Sequence, residues 1–163
     1  MSDSLPTYVN PWLLLRRHET INTTLPLSAM PHLLASQNRQ TGEAKVSVSV
    51  VTREDGQTVL RGKASAELEL ECQRCLTPLV ETFEADFELV IVKREHQLER
   101  LDEADDGIVV EEQLELAPLI EQELILALPM IAKHAHCQAQ YQNSDSGEGE
   151  SQQPFANLKN LLN

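Results

Sequence analysis

Aromatic side chains are scarce in this chain, at 4% of its 163 residues against an apolar content of 41%. A core drawn from that composition is aliphatic, and part of the chain is expected to lie outside it. Cysteine is scarce too, and three cysteines cannot all pair with one another. That argues against a disulfide framework and leaves metal ligation or buried thiols in a reducing compartment. Long apolar runs are missing: the longest, Leu124–Ala132, contains Pro129 and falls short of the ~20 residues a bilayer requires. Near the N-terminus, Trp12–Leu15 is shorter than the ~7–15 apolar residues of a signal peptide, and Arg16-Arg17 follow in place of a small-residue cleavage site. The expectation is a soluble, cytoplasmic protein with no membrane contact.

Positive charge is also in deficit, with 13 basic residues against 26 acidic and a net charge of −13. A protein that held nucleic acid by neutralising phosphates would need the opposite balance, which argues against free nucleic acid as the sole partner. The imbalance is uneven. Through residue 75 the chain carries eight basic and eight acidic residues, so residues 76–163 hold five and eighteen. This acidity reads either as solvated surface or as a field that steers a basic protein partner.

Catalytic signatures are absent from the sequence. The serines lack a nucleophile-elbow context, the six glycines form no phosphate-cradling loop, and no HExxH pattern occurs. Glu121 and Glu123, two positions apart on a predicted helix, point in different directions and read as a solvated face. His18 and His96 lie in polar or charged stretches and are expected to be exposed, whereas His32, beside Leu33 and Leu34, reads as a hydrogen-bonded histidine at the domain edge.

The patterning that is present predicts an α+β domain over residues 1–137. Residues 1–24 read as an N-terminal arm anchored by Trp12, because the apolar stripe of PWLLLRRHE is too short for a free-standing helix. A short helix is expected within 25–37, capped by Ser28, with Pro31 in its first turn and Leu33 and Leu34 turned inward. The period then changes to two. Val46, Val48 and Val50 share one face of a strand over Lys45–Thr52, and Asp55-Gly56 marks the following hairpin. The next strand places Leu60, Gly62, Ala64, Ala66, Leu68, Leu70 and Cys72 on one face, and alternation resumes from Leu79 to about Lys93. Residues 94–107 read as a charged loop, with a short strand at Gly107–Val110. Helical spacing returns over 114–129, with Leu116, Leu119, Ile120, Leu124, Ala127 and Leu128 on the apolar face and Glu121 and Gln122 outward. Burying that stripe on a mainly antiparallel sheet of three or four strands makes the core. Residues 138–153 form a polar, acidic linker expected to be disordered, and 154–163 a short amphipathic element with Phe155, Leu158, Leu161 and Leu162 apolar.

The chemistry concentrates in ECQRCLTP, residues 71–78. By strand parity both Cys72 and Cys75 continue core-facing rows. Gln73-Arg74 does not suit a two-residue primed turn, so the connection is expected to be a looser knuckle. A Cys-x-x-Cys knuckle supplies half of a zinc site, and Cys137 with His134 or His136 can complete it. Two buried thiols beside a histidine-rich loop is the competing reading. A redox pair fits less well, since a thioredoxin-type motif opens a helix in a βαβ unit.

Four stretches taken in order, ECQRCLTP after an alternating strand, EQELILALP about fifty residues later, HAHC, and PFANLKNL, resemble the YceD family, the large ribosomal RNA subunit accumulation proteins, over roughly residues 20–163. The resemblance implies a bacterial cytoplasmic protein without catalytic activity, acting in the synthesis, processing or stability of 23S rRNA. It aligns the family's cysteine pair with Cys72 and Cys75 and its acidic-aliphatic helix with Glu121–Leu128. Many relatives carry further cysteines after that helix, where this chain has Cys137 with histidines. Set against a charge of −13, the implied role points to a basic protein partner, a ribosomal protein or assembly factor, docking on the acidic half. Any direct RNA contact is expected at Arg16, Arg17, Arg61, Lys63 and Arg74. The alternative from another class is a small zinc- or thiol-dependent enzyme, a nuclease or hydrolase using Cys72, Cys75, His134 and Cys137. A third is an adaptor or anti-aggregation protein unrelated to ribosomes.

Overall fold

A computed structural model describes residues 8–140. The expected amphipathic element at 154–163 and most of the 138–153 linker lie outside the described residues.

Strand β1, Tyr8–Val9, leads into helix α1, Pro11–Arg17. Pro11 occupies the first turn, where its missing N–H leaves no helical bond unmade, and the Asn10 side chain accepts from the Leu13 N–H at 3.0 Å. Seven residues do not hold a helix alone. This one is held by Leu14, buried in the core, and by Trp12, whose indole N–H donates to the carbonyls of Val110 and Glu111 at 3.2 and 3.1 Å. Trp12 is therefore the anchor the sequence suggested.

The chain then forms strand β2, Thr20–Pro26, mostly within the stretch read as arm and ending in the stretch read as containing a short helix. Ile21, Thr23 and Leu25 face inward; the polar Thr23, buried at this position, disguises the period of two. A 3-10 turn, Leu27–Ala29, precedes helix α2, Pro31–Ala35. The expected cap at Ser28 is not the cap: Ser28 lies inside the 3-10 turn and Met30 holds the capping position without a side-chain bond. Pro31 does open the helix, Leu33 is buried and Leu34 is half-buried.

Strands β3 (Glu43–Thr52), β4 (Thr58–Glu71) and β5 (Pro78–Val92) follow as a continuous antiparallel meander. Their inward rows are those the alternation predicts, from Val46, Val48 and Val50 through Leu60–Leu70 to Leu79, Phe83, Phe87 and Leu89, all buried. Gly56, at φ 85°, makes the β3–β4 turn. The charged segment after β5 contains a 3-10 stretch, Glu95–Arg100, and returns as strand β6, Gly107–Val109, parallel to the end of β5. The sheet order is β2-β3-β4-β5-β6. The fold is thus α+β, with one parallel pair at the edge of an otherwise antiparallel sheet and one strand more than the sequence suggested.

Strand β7, Leu114–Glu115, pairs with β1 and passes into helix α3, Leu116–Ala127. Leu116, Leu119, Ile120 and Leu124 bury against the inward face of the sheet, each fully buried Leu or Ile contributing about 1.5–3 kcal/mol. Glu121 differs from its expected outward position: it is 7% exposed. Its Oε1 accepts the backbone N–H groups of His32 and Leu33 at 2.5 and 3.0 Å, and its Oε2 lies 3.2 Å from the His32 imidazole. A side chain distant in sequence therefore caps α2, which has no local cap. The opposite sheet face is mostly polar, with Val80 exposed on it and, at one end, Val59, Val90 and Val92 packed under Leu98 and Leu101. No helix among the described residues is long and apolar enough to cross a membrane.

Candidate metal centre

The ladder between β4 and β5 ends at Glu71 opposite Pro78, which leaves residues 72–77 as the knuckle. Its bonds run from the Cys72 N–H to the Thr77 carbonyl at 2.9 Å and from the Leu76 N–H to the Cys72 carbonyl at 2.8 Å. The connection is thus longer than a two-residue turn, as Gln73-Arg74 implied. It closes with Leu76 in the left-handed region at φ 57°.

After α3 the chain folds back over this knuckle. The Gln73 N–H donates to the Ala132 carbonyl at 2.8 Å, the Arg74 guanidinium to the Cys137 carbonyl at 3.1 Å, and the Gln140 N–H to the Arg74 carbonyl at 3.2 Å. These bonds bring together Cys72, Cys75, His134 and Cys137, with the candidate ligand atoms all within 4.8 Å of one another. Cys72 is fully buried; the other three are half-buried. His136 is exposed and stands outside the group, so of the two histidines in HAHC it is His134 that the fold selects.

The spacing fits a tetrahedral ion. With Zn–S near 2.3 Å, two sulfurs on one tetrahedron lie about 3.8 Å apart, and a sulfur and an imidazole nitrogen about 3.6 Å. The Cys72 and Cys137 sulfurs are 3.7 Å apart, and Cys75 Sγ is 3.4 Å from His134 Nδ1. The electrostatics favour an anionic cluster at one end. Burial pushes the Cys72 thiol up, but the N–H groups of Cys75, His134 and Arg74 directed at its sulfur outweigh this and bring it down to about 5. The Thr77 hydroxyl, 3.1 Å from Cys75 Sγ, holds that thiol below its ordinary value. Bonding to Cys72 and Cys75 raises His134, whereas burial and the neighbouring sulfurs push Cys137 up. Two thiols, Cys72 and Cys75, are thus held low by hydrogen bonds, and the third, Cys137, is opposed by both. A divalent cation is the partner that removes that opposition.

A family model described as large ribosomal RNA subunit accumulation protein YceD matches residues 60–162, a span that contains the whole knuckle and all four donors. The chain belongs to the YceD family. Among curated proteins it is 33% identical over 128 residues, covering 73% of this chain and 74% of the relative, to the large ribosomal RNA subunit accumulation protein YceD of Haemophilus influenzae. No solved structure matches. In this YceD family member, the matched region begins at Leu60 in β4 and takes in most of the acidic half of the chain.

The cations considered for RNA contact fall in three separate places on the fold. Arg16 and Arg17 end α1, which packs against β3 on the covered side of the sheet. Arg61 and Lys63 lie on the polar face of β4 and face acidic partners across the β4–β5 ladder, Arg61 with Glu88 at 2.6 Å and Lys63 with Asp86 at 3.0 Å. Arg74 is at the far end of β4, in the knuckle. A concavity of about 650 Å³ crosses the polar face near Lys45, Ser47 and Lys63, remote from the thiols. Two contributors were not assigned to the centre from sequence, Thr77 against Cys75 and Arg74, read there as an RNA contact, against the Cys137 carbonyl. A hydroxyl two residues beyond the second cysteine was a visible signal for the first; nothing local signalled the second.

Proposed function

We propose that this protein is a non-catalytic factor that supports the accumulation of large-subunit ribosomal RNA in the cytoplasm, acting in the synthesis, processing or stability of 23S rRNA. The observation that carries this reading is the family match over residues 60–162, together with the curated relative whose name states that role. With −13 on the chain and its most prominent strand cations already paired, the contact with ribosomal material runs through a basic protein partner, a ribosomal protein or assembly factor.

The donor set further supports zinc held by Cys72, Cys75, His134 and Cys137. When bound, the ion neutralises the thiolates and cross-links the β4–β5 knuckle to the segment after α3. Four protein ligands close a tetrahedral ion, as in structural sites, whereas a catalytic ion keeps a position for water. The Cys75–His134 contact is the one feature that favours a thiol- or zinc-dependent hydrolase instead. Ligand count separates the two readings: X-ray absorption on purified protein is expected to show three sulfurs and one nitrogen, and a bound water would favour the enzyme. For the cellular role, a deletion strain is expected to lose 23S rRNA relative to 16S rRNA, and tagged protein to recover large-subunit proteins. Normal 23S levels with no ribosomal material recovered would overturn the assignment.

A further inference from the structure

The surface beside the knuckle is apolar where a folded chain usually is not. Leu76 is 44% exposed and Ile131 64%, and together with Gln73, Arg74, Lys133 and Ala139 they line a cleft of about 320 Å³. Met130, adjoining Ile131, is fully exposed. Leu76 is unusual in a second respect, because its φ of 57° lies in the region a β-carbon disfavours. Glycine would close the same turn without strain. Leu76 instead stands there with its side chain turned to solvent at the cleft.

The described chain ends at this cleft. Ala139 lines it, and the next residue, Gln140, is tied to the Arg74 carbonyl. Residues 141–153 contain no basic side chain and carry Asp145, Glu148 and Glu150, which complement Arg74 and Lys133 at the cleft. Beyond them comes PFANLKNLL, whose Phe155, Leu158, Leu161 and Leu162 recur at helical spacing. Thirteen residues separate Gln140 from Pro154, and a random-coil chain of that length spans roughly 20 Å root-mean-square, which corresponds to an effective concentration on the order of millimolar about the cleft. We propose that the cleft formed by Leu76, Ile131 and the knuckle is the docking site of this chain's own C-terminal segment, residues 155–162, with the apolar side chains against Leu76 and Ile131 and the acidic tether along Arg74 and Lys133. This contact covers the knuckle beside the thiols and does not depend on the metal proposed above.

The test places p-benzoylphenylalanine at position 155 of the full chain, irradiates dilute protein, and maps cross-links in the monomer by mass spectrometry. Cross-links are expected within residues 73–77 and 130–139. They are expected to fall at least tenfold in Leu76→Ser with Ile131→Ser, and to persist in Leu126→Ser, an exposed leucine that does not line the cleft. Circular dichroism of each variant checks the fold, and if the double variant fails to fold, the map on the otherwise native chain decides by itself. Cross-links spread over the domain would overturn the proposal. So would cross-links that form only between two copies, or only to another protein in a lysate.

Discussion

Glu121 shows how much one side chain can organise. Burial pushes its carboxyl up, but the N–H groups of Leu33 and His32 and the His32 imidazole outweigh burial and hold it below the ordinary carboxylate range. A depressed carboxylate contributes stability that is present above its unfolded pKa, about 4.3, and is lost as pH falls through the lower folded value. Glu121→Ala leaves two amide donors uncapped and is expected to cost roughly 2–3 kcal/mol at neutral pH. In a urea titration the variant should also lose less stability than the native chain between pH 5 and pH 3. The periodicity that placed the apolar face of α3 correctly placed Glu121 outside it, because its partners lie in α2, almost ninety residues earlier in the chain. A similar limit applied to HAHC, which offers two imidazoles equally. The choice is made by the His134 N–H to Cys72 Sγ at 3.4 Å and by His134 Nδ1 beside Cys75, contacts no local pattern encodes. Under the zinc assignment proposed above, His136→Ala is expected to hold as much zinc per chain as the native protein by elemental analysis. His134→Ala should lose affinity by more than the roughly 10–100-fold typical of removing an outer partner.

At the scale of elements, legibility followed burial on one face. Strands β3, β4 and β5 were readable because every second side chain is apolar and most of the others, Val51, Val59, Val80, Val90 and Val92 apart, are polar, so register and face are both written locally. Strand β2 was not, since Thr23 stands in the inward row, and the parallel pairing of β6 depends on how the charged segment crosses over. The knuckle was readable as an irregular connection but not in its closure by Leu76. Within the legible strands lies a cross-strand device: Gly62 stands opposite Phe87, and a β-carbon at residue 62 would lie 2.0 Å from the ring. The aromatic ring fills the space the glycine leaves on the inward face of β4. Gly62→Ala is expected to destabilise by about 1–3 kcal/mol through overpacking, seen as a lower urea midpoint at an unchanged slope. Gly56→Ala, where a β-carbon meets nothing within 4 Å, tests the contrast: any loss there comes from its φ of 85° alone.

Across the described residues, several of the cations are paired internally with acidic side chains. Arg53 bonds Asp55 and Asp105 and lies 3.5 Å from Glu88, tying the β3–β4 turn to the segment before β6, and the hydrogen bonds its guanidinium donates to both carboxylates raise its already high pKa further. Arg39 pairs with Glu67, Arg61 with Glu88 and Lys63 with Asp86. Exposed pairs of this kind add little stability. Their effect is on the field: they offset part of the positive charge on the described surface, and with a net charge of −13 an approaching partner meets a negative molecule. Docking of a basic ribosomal protein is then expected to weaken by about tenfold or more as salt rises from about 0.05 to 0.3 M, because the screening length falls from roughly 14 to 6 Å over that range. Arg61→Gln and Lys63→Gln remove cations that were already neutralised. They should leave such binding unchanged or slightly tighter, since each frees a carboxylate. Direct contact with RNA phosphates makes the opposite forecast, a loss of affinity with each substitution and a shallower salt slope. Titrating the two variants against ribosomal protein and against 23S rRNA fragments at both salt concentrations therefore distinguishes a protein-mediated role from an RNA-binding one. An affinity that does not change with salt would remove the electrostatic basis for the first.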